Sequence, residues 1–188
     1  MKKQPRVGFD LDGVLLYNPA RIIRPIIFFI KKYILKRDLN KFYYPKNKIE
    51  KTIWWILHKS SLWPAHGVKE IINLIKQKKI KAYVVSARYE LLENDFVNWI
   101  KIIDPKNNFS GCFYNNKNDQ PQLFKERMID KLKLDLYVED NWDIVSYLNL
   151  KSKIKIFWIY NILDRNKRFL NKFPSLNSVI IKIKELIK

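Results

Sequence analysis

Two aspartates one residue apart, Asp10 and Asp12, follow an apolar run that begins at Val7. An extended strand puts alternate side chains on one face, so both carboxylates can leave its end in the same direction. Gly13 follows and lets the backbone turn where a side chain would obstruct it. Close carboxylates repel each other, and a divalent cation relieves that repulsion. The pair predicts a magnesium site that takes part in chemistry, although the same spacing also occurs by chance in solvated loops.

The chain around this pair alternates apolar strands with helical stretches, which is typical of a parallel, three-layer, Rossmann-like α/β sheet. Strands are predicted at residues 6–10, 80–85, 111–114, 135–138 and 154–159, and helices at 66–78, 90–103, 121–132, 143–150 and 178–187. In open α/β sheets, ligands bind beyond the carboxyl ends of the strands. The aspartate pair lies at such an end.

The second predicted strand runs on into Ser86, Ala87 and Arg88. A hydroxyl there can donate to a phosphoryl oxygen, helped by backbone N–H groups at the start of the next helix. It can also serve only as the N-cap of that helix. The Arg88 guanidinium can clamp a phosphate or the substrate beyond it. It can equally pair with Glu90 or Glu93, and both alternatives stay open.

The fourth predicted strand also ends in acids. Glu139 and Asp140 close the strand, and Asp143 follows them. Carboxylates in this position can bind a hard metal ion. The alternative is a helix N-terminus, where the macrodipole favours acidic side chains. Taken alone, the pattern favours the helix N-terminus.

Residues 9–14, Phe-Asp-Leu-Asp-Gly-Val, resemble the first motif of the haloacid dehalogenase (HAD) superfamily, most of whose members are phosphatases. Ser86 is similar to the family's second motif, Lys125 to its third and the acids of 139–143 to its fourth, in the family's order. The fourth motif resembles the variant of the 5′(3′)-deoxyribonucleotidases, and it lacks the Gly-Asp start common in the superfamily. The helix of the third motif also offers two alternative cations, Arg127 and Lys131.

This resemblance implies a Mg²⁺-dependent phosphomonoesterase that works in two steps. Asp10 would attack phosphorus and form an aspartyl-phosphate, while Asp12 would protonate the leaving oxygen and then activate water. Lys125 would keep the nucleophile ionised and offset charge on the phosphoryl oxygens. Family dehalogenases lack the second aspartate because a halide leaves without a proton, whereas a phosphomutase stays a less common alternative. The residues implied to bind the substrate are Ser86, Ala87 and Arg88.

The resemblance also implies a set of metal ligands. Mg²⁺ would contact the carboxylates of Asp10 and Asp140 and the backbone carbonyl of Asp12. Glu139 and Asp143 would bind through water or orient the ligands. Which of the three acids of the fourth motif contacts the metal directly stays open.

Residues 17–63 fit neither layer of the predicted core, because this stretch is long, helical, basic and rich in aromatic residues. Its place after the first motif resembles the helical cap that many HAD enzymes insert there. We expect a cap at 17–63 on a core of residues 1–16 and 64–188, where it would exclude water and select the substrate. The aromatic residues favour a nucleotide because bases stack on aromatic faces, or they form the core of the cap itself.

The net charge of +19 is concentrated in residues 17–63, which carry +9, and residues 151–188, which carry +8. Such segments favour anionic substrates, so the alternative functions are a phosphatase of nucleic-acid ends and a basic protein that binds nucleic acid or an anionic membrane surface. A lysine-rich composition without function would give the same charge. The longest apolar stretch, residues 22–35, is interrupted by charges and too short to span a bilayer. With no secretory signal and a single cysteine, the chain is expected to be cytoplasmic.

Overall fold

The computed structural model describes residues 4–19 and 61–187, together with the separate positions 48, 52 and 55. The strands within these ranges are β1 (Arg6–Phe9), β2 (Leu16–Tyr17), β3 (Trp63–Pro64), β4 (Lys81–Tyr89), β5 (Gly111–Asn115), β6 (Leu136–Glu139), β7 (Lys155–Ile159) and β8 (Lys172–Phe173). The α-helices are α1 (Val68–Lys76), α2 (Glu93–Ile103), α3 (Pro121–Leu132), α4 (Trp142–Lys151) and α5 (Leu176–Ile187). Short 3₁₀ helices lie at Glu90–Leu92 and Ile162–Asp164.

Six strands form one parallel sheet in the order β5-β4-β1-β6-β7-β8. The central strand β1 aligns Gly8 with Tyr83 on one side and Tyr137 on the other. A Cβ at Gly8 would lie 2.7 Å from the Tyr137 ring. Glycine at this position therefore leaves room for the tyrosine side chain of the neighbouring strand β6. The chain adds β4 and β5 on one side of β1 and then crosses to β6 on the other side, and such a reversal of strand order opens a ligand crevice at the carboxyl ends of the strands.

Apolar side chains on the two faces of the sheet form two separate cores. Val7 and Phe9 of β1 belong to the core that includes residues of α1, α2 and α5. The alternate side chains Tyr83 and Val85 of β4 belong to the core that includes residues of α3 and α4. Burial of both faces explains why the central strands are continuous apolar runs rather than alternating patterns. The three-layer parallel α/β fold predicted from the sequence is confirmed.

Most predicted elements are present, with boundaries that differ by one or two residues, and helix 121–132 begins and ends where it was expected. Strand β4 is longer than predicted and continues to Tyr89, with an irregular register between Ser86 and Tyr89. The helix expected from residue 90 begins as a 3₁₀ turn and becomes α-helical at Glu93. Strand β8 was not predicted, because two residues are too few to show a period.

The ends of the predicted cap segment meet in a small antiparallel pair, β2 with β3. The rings of Tyr17 and Trp63 stack there with centroids 5.0 Å apart. Both rings remain strongly exposed, Trp63 at 50%. The helical cap expected at 17–63 otherwise lies almost entirely outside the described residues, so the division into core and cap stays a prediction.

Within the described ranges, no helix combines the length and the apolarity needed to cross a bilayer.

Cys112 on β5 is the single cysteine of the chain, and its thiol is half-buried. Burial, with the nearby charge of Asp104, raises the pKa of this thiol from 9.0 to about 12. At pH 8 the folded protein should therefore hold roughly a thousandfold less thiolate than the unfolded chain, and thiolate is the form that reacts. We expect iodoacetamide to alkylate Cys112 slowly in buffer and rapidly in urea, as measured by mass spectrometry. Equal rates in the two conditions would contradict the burial described here.

Candidate active site

The candidate site lies at the carboxyl ends of β1 and β6, the two central strands. The Asp10 backbone N–H, just beyond β1, donates to the Val138 carbonyl at 3.0 Å and ties the two strand ends together. This pairing brings Asp10 of the first predicted motif beside Glu139 and Asp140 of the fourth. All of these acids are buried, although carboxylates are rarely buried without a partner.

Three carboxylates form a compact acidic cluster at this edge. One oxygen from each of Asp10, Glu139 and Asp140 lies within 4.8 Å of the others. Burial, followed by the negative charge of Glu139, raises the pKa of Asp10 well above its ordinary value, while Lys125 acts in the opposite direction. Burial and the neighbouring acids thus outweigh Lys125 and disfavour the ionised form of Asp10. All three groups are hard oxygen donors, which is the chemistry that Mg²⁺ prefers.

Lys125 projects from α3 into this cluster and is 1% exposed. Its Nζ lies 3.1 Å from Asp10 Oδ2 and 2.5 Å from Glu139 Oε2. Burial alone would lower the pKa of Lys125, but the charges of Asp10 and Glu139 outweigh it and raise that pKa. The two alternative cations of the same helix point elsewhere, since Arg127 is exposed and pairs with Asp119, and Lys131 is exposed.

Glu139 is held on both of its oxygens by the protein. Oε1 accepts the backbone N–H groups of Asp140 at 3.1 Å and Asn141 at 3.0 Å, and Oε2 accepts from Lys125. The carbonyl of Asp140 in turn accepts from Trp158 Nε1 at 3.1 Å, which fixes the backbone of the motif. Glu139 is thus committed as a structural acceptor, while the Asp140 carboxylate faces the turn after β1.

Asp143 lies in the first turn of α4 and outside the cluster that Asp10, Glu139 and Asp140 form. Its backbone N–H donates to the side chain of Asn141 at 3.0 Å, so Asn141 is the N-cap of this helix. The acids of this stretch divide between two places. Glu139 and Asp140, at the end of β6, belong to the acidic cluster, whereas Asp143 belongs to the first turn of α4.

Gly13 permits the close approach between the first motif and Asp140. Its φ of +80° lies in the left-handed region, and a Cβ there would be 2.2 Å from Asp140 Oδ2. Its N–H donates to the Leu16 carbonyl at 2.9 Å and closes the turn that leads into β2. The conformation expected of this glycine is confirmed, and the steric requirement against Asp140 is an addition that the sequence did not show.

The Asp12 carboxylate is bound from two sides and stays apart from the acidic cluster. Arg88 donates from Nε to Oδ2 at 2.8 Å and from Nη2 to Oδ1 at 2.7 Å. Ser61, at the end of the predicted cap segment, donates its hydroxyl to Oδ1 at 2.6 Å. Arg88 also donates from Nη1 to Asp95. The alternative in which Arg88 pairs with Glu90 or Glu93 is therefore wrong, because all three guanidinium nitrogens donate to Asp12 or Asp95 instead.

Ser86 is buried within β4, and its hydroxyl accepts the Arg88 N–H at 3.3 Å. Its interpretation as a helix N-cap is wrong, because the strand continues to Tyr89 and the α-helix begins only at Glu93. For the same reason, no helix N-terminus directly follows Ser86 and the half-buried Ala87. Their expected role in binding phosphate stays a prediction.

Two partners of the site were not found from the sequence. Ser61 lies 49 positions from Asp12, and nothing in its surroundings marks it as more than a polar residue before β3. Asp95 follows Arg88 by seven residues, but the irregular end of β4 and the 3₁₀ turn hide any helical spacing between them. Both contacts depend on how distant segments close around the end of β1.

Comparisons with known proteins were made by sequence and by structure. Neither a protein-family model nor a curated protein matches the chain. A haloacid dehalogenase-like hydrolase from Bacteroides fragilis matches with a TM-score of 0.61 at 12% identity, covering 94% of this chain and 100% of that one. The chain has the HAD fold. Identities this low establish the fold of the molecule and leave its activity to be argued from the site.

Two further HAD-fold structures agree with this result. A HAD hydrolase from Bacillus subtilis, bound to magnesium, has a TM-score of 0.62 at 10% identity and covers 97% of this chain and 100% of its own. A β-phosphoglucomutase from Thermotoga maritima has a TM-score of 0.61 at 14% identity, with the same coverage of both chains. The HAD resemblance seen in the motifs is thus matched at the level of the fold, while the nucleotidase-like detail of the fourth motif stays a prediction.

Proposed function

We propose that this chain is a Mg²⁺-dependent phosphomonoesterase of the HAD type, acting through an aspartyl-phosphate on Asp10. The observation that carries the proposal is the buried ion pair between Lys125 and Asp10, inside an acidic cluster on a HAD fold. Lys125 lowers the pKa of Asp10 against the opposing effects of burial and Glu139, and so favours the ionised form that a nucleophile needs. A binding module for nucleic acid or membranes would not need this cluster, so we favour the enzyme.

The residues present fit a magnesium ion. Asp10, Glu139 and Asp140 offer oxygens only, which suits a hard cation. Burial and then the charge of Glu139 raise the pKa of Asp10, and a bound cation would act in the opposite direction. We assign Asp10 and Asp140 as direct ligands, with the carbonyl of Asp12. Glu139, whose oxygens already accept three hydrogen bonds, would orient these ligands without contacting the metal directly. When bound, Mg²⁺ would offset the repulsion between an anionic phosphate and the nucleophile.

In the first step, an Asp10 carboxylate oxygen forms a bond to phosphorus and the ester P–O bond breaks. Asp12 gives its proton to the departing oxygen, which leaves as an alcohol. In the second step, Asp12 takes a proton from water, and the water oxygen bonds to phosphorus. The bond between phosphorus and Asp10 then breaks, which restores the carboxylate and releases phosphate. A halide would leave without a proton, so the presence of Asp12 supports a phosphatase over a dehalogenase.

Two groups would stabilise the phosphoryl oxygens. Lys125 Nζ, already beside Asp10, would offset the negative charge that develops on them. Ser86 would donate its hydroxyl, with the backbone of Ala87 beside it. The contact of Arg88 with phosphate that its guanidinium allows is kept as an alternative, since this side chain holds Asp12 here.

A nucleotide is the substrate class that the aromatic residues favour. The stacked and exposed pair of Tyr17 and Trp63 lies at the base of the predicted cap, beside the turn that carries Asp12. A base can stack on such a ring. The proposed partner is therefore a small phosphorylated molecule, and the cytoplasm stays the expected location.

The test is turnover of a panel of phosphomonoesters, containing nucleoside 5′- and 3′-monophosphates and sugar phosphates, with Mg²⁺ or with EDTA. We expect phosphate release that requires Mg²⁺ and is fastest with a nucleotide. Release from sugar phosphates alone would contradict the nucleotide preference and keep the phosphatase. No release from any monoester in Mg²⁺, by a protein shown to be folded, would contradict the proposed function.

A further inference from the structure

Arg88 is the side chain whose position the proposed two-step reaction does not explain. Each of its three guanidinium nitrogens donates to a carboxylate, two of them to Asp12 and the third to Asp95. The side chain is 2% exposed, so water does not compete for these contacts. A guanidinium committed in this way is poorly placed to bind a phosphate as well.

The contact between Arg88 and Asp12 has the geometry of a clamp. Nε and Nη2 reach the two different oxygens of one carboxylate, at 2.8 and 2.7 Å. Such a planar fork fixes both the position and the rotation of the carboxylate, which a single hydrogen bond cannot do. The Ser61 hydroxyl, at the end of the predicted cap segment, adds a third hydrogen bond to the same carboxylate.

Asp95 holds the other end of the guanidinium. It belongs to the first turn of α2, its side chain is 18% exposed, and its contact is with Arg88 rather than with the acidic cluster. Without Asp95, the fork could rotate about the long arginine side chain. Asp95 of α2 thus holds Arg88, and Arg88 in turn holds Asp12.

We propose that Arg88, held by Asp95, is a positioning residue that fixes the Asp12 carboxylate for its transfer of a proton to the leaving group. This inference rests on the proposed phosphatase activity. A displacement of about 1 Å in a reacting group can cost about a hundredfold in rate. The cost should appear where proton transfer matters, because Arg88 acts through Asp12 and not through the phosphate.

The basicity of the leaving group distinguishes a role of Arg88 through Asp12 from a role in binding the phosphate. An alkoxide leaves only if it receives the proton of Asp12 as the ester bond breaks, whereas p-nitrophenolate is a weak base that leaves with little help. The ratio kcat/KM reports the transfer of phosphate to Asp10, which is the first irreversible step. A misplaced Asp12 should thus lower kcat/KM for an alkyl phosphate far more than for p-nitrophenyl phosphate.

The experiment compares Arg88→Lys and Asp95→Asn with the wild type on glycerol 2-phosphate and p-nitrophenyl phosphate in Mg²⁺, together with inhibition by inorganic phosphate. We expect kcat/KM for glycerol 2-phosphate to fall about tenfold to a hundredfold in Arg88→Lys, and in the same direction but less in Asp95→Asn. For p-nitrophenyl phosphate the change should stay within about threefold. The inhibition constant of phosphate should not change.

The matched control is Glu93→Gln, which removes an exposed acid from the same turn of α2 as Asp95. This variant should leave kcat/KM for both substrates unchanged.

Other outcomes would overturn the inference. Equal losses on the two substrates, with weaker inhibition by phosphate, would make Arg88 a phosphate-binding residue. If Arg88→Lys fails to fold, Asp95→Asn carries the test, and an unchanged ratio between the substrates would overturn it. An inactive wild type would overturn the proposed function as well, whereas an active wild type with uniform losses would overturn this inference alone.

Discussion

Asp10→Asn is expected to lower turnover by on the order of a thousandfold or more, because an amide oxygen is too weak a nucleophile to form the bond to phosphorus. The variant should still fold. In the wild type, burial and the charge of Glu139 raise the pKa of Asp10, so its ionised form is costly in the metal-free protein. Removal of that charge should leave the melting temperature in EDTA unchanged or higher.

The two readouts together separate a loss of chemistry at Asp10 from a loss of folding. Turnover of p-nitrophenyl phosphate and thermal unfolding in EDTA measure them on the same preparation. The matched control is Asp130→Asn, which makes the same chemical change at an exposed acid of α3 and should alter neither quantity. Near-normal turnover by Asp10→Asn would contradict the assignment, whatever its stability.

Gly13→Ala is expected to abolish Mg²⁺ binding as well as activity. The new methyl group would be 2.2 Å from Asp140 Oδ2, so this carboxylate must move away from Asp10. The left-handed backbone adds a cost of about 1 kcal/mol for a residue with a Cβ. Mg²⁺ at about a hundred times its Kd should stabilise the wild type by about 2.7 kcal/mol, and the variant should lose this increase in melting temperature.

Gly67→Ala is the control for the backbone cost in this comparison. Gly67 also has a left-handed backbone, with φ of +110°, and its Cβ would be 2.7 Å from Asn177 Oδ1. It lies at the N-cap of α1 and touches none of the acids. We expect both variants to melt at a lower temperature in EDTA, and only Gly13→Ala to lose the response to Mg²⁺. A normal Mg²⁺ response in Gly13→Ala would contradict the assignment of Asp140 as a ligand.

The sequence predicted those parts of the molecule that depend on local pattern. The central strands are apolar runs that end in acids, so both the strands and the positions of Asp10 and Asp140 followed from the pattern. Helix α3 was predicted to the residue, because Pro121 marks its first turn. Lys125 was selected by resemblance to the third motif, whereas the helix pattern alone left Arg127 and Lys131 as alternatives.

The contacts around Asp12 could not be predicted, because they are set by long-range packing. Ser61 reaches Asp12 only because β2 and β3 pair and close the base of the predicted cap. Arg88 turns inward because β4 continues past Ser86 with an irregular register. The sequence showed which residue types were present, and the tertiary structure decided which acid each cation would meet.

The central claim is that Asp10 carries the phosphoryl group, and the most direct measurement is chemical trapping of that intermediate. The protein is mixed with Mg²⁺ and p-nitrophenyl phosphate, quenched and reduced with borohydride, which converts an acyl phosphate on aspartate into homoserine. Peptide mass spectrometry then locates the change. The account predicts homoserine at position 10 in the sample with substrate and none in the sample without it. An active enzyme that shows homoserine at position 12, or at no aspartate, would contradict it.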